Sequence, residues 1–259
     1  MHLNYEMLDG GHPQWMVFIH GAGGNIRTWR YQRESFADHY NLLLIDLRDH
    51  GESSQESRSK RKYSFEIIAS DVLNLMDELK IDKAIFVALS MGSLIIQKIS
   101  ELRSTAIDKA IIAGGIFDIT YLIRLFAGSA TFLSYVIPFR WSYWMFSYLL
   151  MPRKNHQRAR KIFIRQAKKL SPAAYRRWIG LYKEFHVMVK RYHATNLSYP
   201  LLAVMGGEDY MFLEPAKRFV DQQLKAHLLV IPNCGHICNI EKADEFNRMA
   251  LDWAKQSKI

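Results

Sequence analysis

Three apolar runs in this chain end on side chains that together could perform acyl transfer. The run Ala84 to Leu89 leads into Ala88-Leu89-Ser90-Met91-Gly92 and then into a helical pattern, which places a serine on a sharp strand-to-helix turn. Such a turn tolerates only small residues two before and two after the serine, and Ala88 and Gly92 meet that need. The run Leu201 to Met205 ends in Gly206-Gly207-Glu208-Asp209, and the run Leu228 to Ile231 ends in Pro232-Asn233-Cys234-Gly235-His236. A serine hydroxyl is a weak nucleophile until a base takes its proton, and an imidazole base needs a carboxylate to fix its tautomer. Ser90, His236 and Asp209 supply these three roles, with Asp118, beyond the Ala110 run, as the rival carboxylate. The oxyanion formed on attack requires preorganised N–H donors. The backbone N–H of Met91, at the start of a helix, and that of Ala22, in the loop His20-Gly21-Ala22-Gly23-Gly24-Asn25, are the candidates. That glycine-rich loop lacks both G-x-G-x-x-G and G-x-x-x-x-G-K-[ST], so nucleotide binding is not expected.

The elements that must carry these groups follow from hydrophobic periodicity. Near-continuous apolar runs at Trp15 to Ile19, Leu42 to Ile45, Ala84 to Leu89, Ala110 to Ala113, Leu201 to Met205 and Leu228 to Ile231 predict strands buried on both faces of a mostly parallel sheet. Helical patterns fall between them, at Ile26 to Ala37, Ser64 to Leu79, Met91 to Leu102, Glu214 to Leu224 and Asn239 to Ala254. An additional strand at Leu3 to Leu8, followed by Asp9-Gly10-Gly11, predicts an antiparallel hairpin with the strand ending at His20. The alternation stops after Ala113 and resumes at Leu201. The chain is therefore read as an α/β core over residues 1–117 and 196–259, with a helical cap inserted over 118–195.

Four motifs in order resemble the α/β-hydrolase superfamily. They are His20-Gly21-Ala22-Gly23, the stretch Asp46-Leu47-Arg48-Asp49-His50-Gly51-Glu52-Ser53, the elbow at Ser90, and the paired loops ending at Asp209 and His236. The Asp46 to Ser53 stretch is similar to the family's Asp-x-Arg-Gly-His-Gly-x-Ser with Asp49 in place of glycine, and Glu241 and Phe246 fall where the family usually has Glu and Phe. The resemblance implies the α/β-hydrolase fold, a triad in the order serine, acid, histidine, and a carboxylesterase-like activity on a small-molecule acyl ester, with no metal and no cofactor. Apart from the resemblance, His20 and His50 read as structural, since histidine next to glycine at a strand end bonds the loop backbone, and Glu208 reads as a solvated neighbour of the acid.

Charge adds a separate expectation. The chain carries a formal +10, and between Asp118 and Tyr199 there are 15 Lys and Arg against two acids, compared with 20 and 23 elsewhere. Arg158, Lys161, Arg165 and Lys168 recur every three or four residues on one helix face, which predicts either a solvated face or a docking surface for an acidic carrier protein or an anionic lipid surface. In this the cap is similar to that of the pimeloyl-acyl-carrier-protein methyl esterases, whose cap arginines receive an acidic carrier. An esterase or thioesterase acting on carrier- or CoA-linked acyl chains is thus the alternative activity, and a non-enzymatic ligand-binding protein is the alternative class. Nucleic acid is not expected, because charge comes without any recognition motif. The aromatic run Phe139, Trp141, Tyr143, Trp144, Phe146 and Tyr148 suits a cap core or the wall of an acyl pocket. The first twenty residues lack the features of a secretory signal, so a cytoplasmic protein is expected. The two cysteines, Cys234 and Cys238, are too close and too few for a disulfide framework or a four-ligand zinc site.

Overall fold

The computed structural model describes residues 2–55, 63–121, 123–125, 128–129 and 136–256. Among the described residues, seven strands form one sheet: β1 (Tyr5–Leu8), β2 (Trp15–Ile19), β3 (Asn41–Ile45), β4 (Ala84–Leu89), β5 (Ile107–Ala113), β6 (Leu201–Gly206) and β7 (Ala226–Ile231). Their spatial order is β1-β3-β2-β4-β5-β6-β7, with β1 antiparallel to β3 and every other pairing parallel. Strands β3, β4 and β6 are buried at every position, which is why they read as continuous apolar runs rather than alternating ones.

The expected hairpin of β1 with β2 does not form. Both edges of β2 are already taken, by β3 on one side and β4 on the other, so β1 closes the outer edge of β3 instead. Asn41 fixes the connection: its Oδ1 accepts from the N–H groups of Gly10 (2.9 Å) and His12 (3.1 Å), and its Nδ2 donates to the His12 carbonyl (2.8 Å). Being an edge strand, β1 stays half exposed.

In the core, α1 (Arg33–Ala37) packs against α10 (Ala243–Ala254), and α2 (Phe65–Glu78) packs against α3 (Gly92–Arg103); α8 (Leu213–Asp221) lies on β6 and β7. Two predicted helices are broken. Ile26 to Ala37 divides into a 3-10 turn at Ile26–Trp29 and α1, because Asn25 caps the turn and the Ile26 N–H donates to Asp46 (2.7 Å), which drives Trp29 edge-on against Phe18 in the core. The last helix divides into α9 (Cys238–Glu241) and α10, with Lys242 in a non-helical conformation (φ −131°, ψ 58°) between them.

The insertion between β5 and β6 carries α4 (Phe139–Leu150), α5 (Gln157–Ala167), α6 (Pro172–Gly180) and α7 (Tyr182–Ala194). Residues 122, 126–127 and 130–135 of the predicted cap lie outside the described residues. Among the described residues, no helix is long and apolar enough to cross a membrane. The helical segment is attached to the core by polar bridges. Arg177 donates to Asp49 (2.7 Å), Lys169 to Glu52 (2.5 Å) and Thr28 to Gln166 (3.1 Å).

Candidate active site

Parallel strands all deliver their C-terminal ends to one edge of a sheet, and β4, β6 and β7 each end there in a loop that carries one of the three predicted side chains. Ser90 follows β4 with φ of 50°, a left-handed conformation that costs energy for a residue bearing a Cβ. The strain is held from both sides. The Ser90 N–H donates to the Ala113 carbonyl (2.9 Å), and α3 begins so close to β2 that a Cβ on Gly92 would sit 2.5 Å from the Ile19 carbonyl oxygen. Only glycine fits there, which is why the elbow ends in one.

The serine hydroxyl donates to His236 Nε2 (2.8 Å), and His236 Nδ1–H donates to Asp209 Oδ2 (2.7 Å). His236 and Asp209 are buried, whereas Ser90 is half-buried. The other oxygen of Asp209 accepts from the Phe212 N–H (3.3 Å), and the Phe212 ring rests 4.9 Å from the imidazole. A line of this kind can strip the serine proton as the oxygen attacks a carbonyl carbon and can stabilise the resulting imidazolium. The structure brings the three predicted side chains together and leaves Asp118 out: that carboxylate pairs with Arg218 (3.2 Å) in solvent.

Ala22 and Met91 face Ser90 across the same pocket, and their N–H groups donate to no acceptor among the described residues. The loop that carries Ala22 is fixed by two buried histidines. His20 donates from Nδ1 to the Gly21 carbonyl (2.7 Å) and accepts the Leu47 N–H at Nε2 (3.0 Å). His50 donates to the Arg48 carbonyl (3.0 Å) and accepts the Gly23 N–H (3.0 Å). Each ring therefore works in its neutral form, and burial lowers His20 to about 4 and His50 to about 3. Groups whose folded pKa lies below the unfolded value of about 6.5 contribute stability above that pH and lose it as pH falls towards the folded pKa. Thermal unfolding followed from pH 7 to pH 4.5 is thus expected to show stability dropping by up to about 5 kcal/mol from these two sites, and His50→Gln is expected to flatten the slope.

Asp46 organises the neighbouring loop, accepting from the N–H groups of Ile26 (2.7 Å) and Glu52 (2.8 Å), while Arg48 makes a two-pronged pair with Asp71 (2.7 and 2.8 Å). Asp49, where the family pattern has glycine, adopts φ of 66°. Aspartate is among the few residues that accept this conformation, and its carboxylate holds Arg177 of α6. Glu208 is not solvated as expected. It accepts from Arg153 (2.5 Å), Asn155 (2.8 Å) and His156 (2.8 Å), joining the acid loop to the helical segment. Cys234 and Cys238 are buried, and burial pushes both thiols up, which keeps them protonated. Arg158, Lys161 and Arg165 sit exposed on α5 and Lys168 exposed at its end; Arg158 donates to the Tyr31 hydroxyl (2.7 Å).

Sequence reasoning missed the walls. The Ser90 pocket, of about 190 Å³, is closed by Thr28, Gln166, Phe146 and Phe163, and a second cavity of about 450 Å³ adjoins it through Ala22, Met91, Ile116 and Phe146. That larger cavity is almost wholly apolar, lined by Phe65, Tyr143, Tyr175, Trp178, Leu181 and Phe185 among others. Only the aromatic run of α4 hinted at it.

A protein-family model described as the alpha/beta hydrolase family matches residues 16–249. The chain belongs to this family. Over 97 residues it is 32% identical to a putative esterase/lipase of Haemophilus influenzae, covering 38% of this chain and 32% of that protein. Over 109 residues it is 28% identical to esterase YbfF of Escherichia coli, covering 42% and 41%. The chain thus spans about a third of the length of the curated relatives it matches. Among solved structures, the enol-lactonase of Burkholderia xenovorans superposes with a TM-score of 0.80 at 20% identity over 98% of this chain and 96% of that one. A hydrolase from Oleispira antarctica does so at 0.85 and 15%, over 98% and 95%. At these identities the likeness carries the α/β-hydrolase fold alone.

Proposed function

We propose that this protein is a serine hydrolase that cleaves a carboxylic ester through an acyl-serine intermediate. The observation that carries this reading is the unbroken hydrogen-bonded line from Ser90 through His236 to Asp209, with Ser90 and His236 on the wall of the small pocket that adjoins the large apolar cavity. Ser90 Oγ attacks the ester carbonyl while its proton passes to His236 Nε2. The N–H groups of Ala22 and Met91 receive the oxyanion, and each such donor is worth roughly 3 kcal/mol of barrier. The tetrahedral adduct collapses, and the alkoxide leaves with the proton from His236. Water, deprotonated by the same imidazole, then releases the carboxylic acid and restores the serine.

The large cavity supports an apolar acyl group as its occupant, because its wall offers almost nothing else to bond. Each methylene buried there is worth up to about 0.8 kcal/mol, about fourfold in kcat/KM. Across p-nitrophenyl esters from acetyl to octanoyl, kcat/KM is expected to rise severalfold per pair of carbons before it levels off. Ile179→Trp, which adds bulk at the cavity wall, should lower the octanoyl value at least tenfold and leave acetyl within about threefold. A flat chain-length profile would remove the acyl assignment of this cavity. Failure of Ser90 to react with a fluorophosphonate, together with no turnover on any ester, would favour a ligand-binding role over hydrolysis.

A further inference from the structure

Helix α4 buries Tyr143 and Leu150 yet is also apolar on its exposed side. Its buried positions include Ser142 and Ser147, the latter donating to the Trp144 carbonyl (2.7 Å), while Trp141, Trp144, Met145, Tyr148 and Leu149 are between 38% and 63% exposed. Spacings of three, one, three and one place these five on a single face. The exposed rings form a ladder, with Trp141 6.4 Å from Trp144 and Trp144 4.6 Å from Tyr148. A contiguous apolar face of this size on a helix marks a surface that something covers.

Two further observations say what covers it. Met145 and Leu149 also line the cavity of about 450 Å³, so the exposed face runs directly into its mouth. No acid stands on the helix, and cations lie close by: Arg140, in its first turn next to Trp141, and Lys168, just past α5, line one cleft of about 210 Å³ with Phe139 and Tyr143 of α4, and neither makes an ion pair among the described residues. Tryptophan and tyrosine with flanking Lys and Arg is the chemistry of an anionic lipid interface, where rings enter the headgroup layer and cations meet phosphates. An acidic protein would match the cations alone and leave the rings and the cavity mouth without a counterpart.

We propose that the exposed face of α4 docks this protein on an anionic lipid surface, with Trp141, Trp144 and Tyr148 entering the interface and Arg140 and Lys168 holding lipid phosphates. Resting on the hydrolase reading above, the substrate class is then an ester with a lipid acyl chain, drawn from that surface past Met145 and Leu149. The test is sedimentation of the full chain with vesicles of phosphatidylcholine alone and of phosphatidylcholine with 30% phosphatidylglycerol, alongside turnover of p-nitrophenyl acetate. The wild type should bind the anionic vesicles at least tenfold more tightly and release them as salt rises. Trp141→Ser with Trp144→Ser, and separately Arg140→Glu with Lys168→Glu, should each weaken that binding about tenfold while acetate turnover stays within twofold of wild type. Retained turnover with no vesicle binding overturns the docking and spares the hydrolase reading; vesicle binding without any turnover does the reverse. Binding that neither double variant weakens overturns the proposal, as does capture of an acidic acyl-carrier protein in place of vesicles or a dimer that the Trp pair disrupts.

Discussion

Ser90→Ala is expected to lower kcat on a p-nitrophenyl ester by at least about 10⁴-fold, some 5.5 kcal/mol of transition-state stabilisation, while the protein folds as before. The size follows from what the oxygen does. It is the atom that bonds to the carbonyl carbon, so its loss leaves only the N–H donors and substrate binding to act on a water molecule. Folding should survive, because Ser90 contributes its backbone rather than its side chain to the elbow: its N–H donates to Ala113, and its carbonyl accepts from Ser93 Oγ (2.7 Å). A methyl group in place of the hydroxymethyl disturbs neither bond, although φ of 50° stays as strained for alanine as for serine. Steady-state hydrolysis and fluorophosphonate labelling check the result together. Residual turnover above about 1% of wild type would transfer the nucleophile to another group.

Asp209→Asn should cost about 10³- to 10⁴-fold in kcat with little change in KM, and the same change at Asp118 should cost less than threefold. The amide keeps the shape of the carboxylate but can turn an NH₂ towards His236 Nδ1, favouring the tautomer with Nε2 protonated, which cannot accept the serine proton. It also removes the charge that offsets the imidazolium, in a place that is buried and therefore unscreened. Asp118 accepts the Ile119 N–H (2.7 Å) and pairs with Arg218, an exposed pair of the sort worth less than about 1 kcal/mol. Measuring both variants on one ester separates the two carboxylates that the sequence leaves open. Equal losses, or a larger loss at Asp118, would reassign the acid.

The candidate triad was legible because it is written in local grammar. A serine between Ala88 and Gly92, and an aspartate and a histidine each just beyond a buried strand, are short-range patterns, and parallel pairing carries all three to one sheet edge without further instruction. The strands themselves were readable for the same reason, since burial on both faces enforces continuous apolar runs. What failed depended on distant partners. The pairing of β1 turned on which edge of β2 was free. The role of Glu208 turned on Arg153, Asn155 and His156, 52 to 55 residues away in the chain. The aromatic run of α4 is uniform in sequence, yet Tyr143 and Phe146 line cavities while Trp141 and Trp144 face solvent.

Sequence alone determined the fold class, the family resemblance, the candidate serine and histidine and the two carboxylates that could serve them, because those are fixed by period, by tight turns and by chain order. Only the tertiary structure decided which carboxylate meets the histidine, how large the apolar cavity is and which face of the helical segment stays uncovered. Each of these is a relation between segments separated by dozens of residues, set by packing of the whole chain, and no local pattern encodes it.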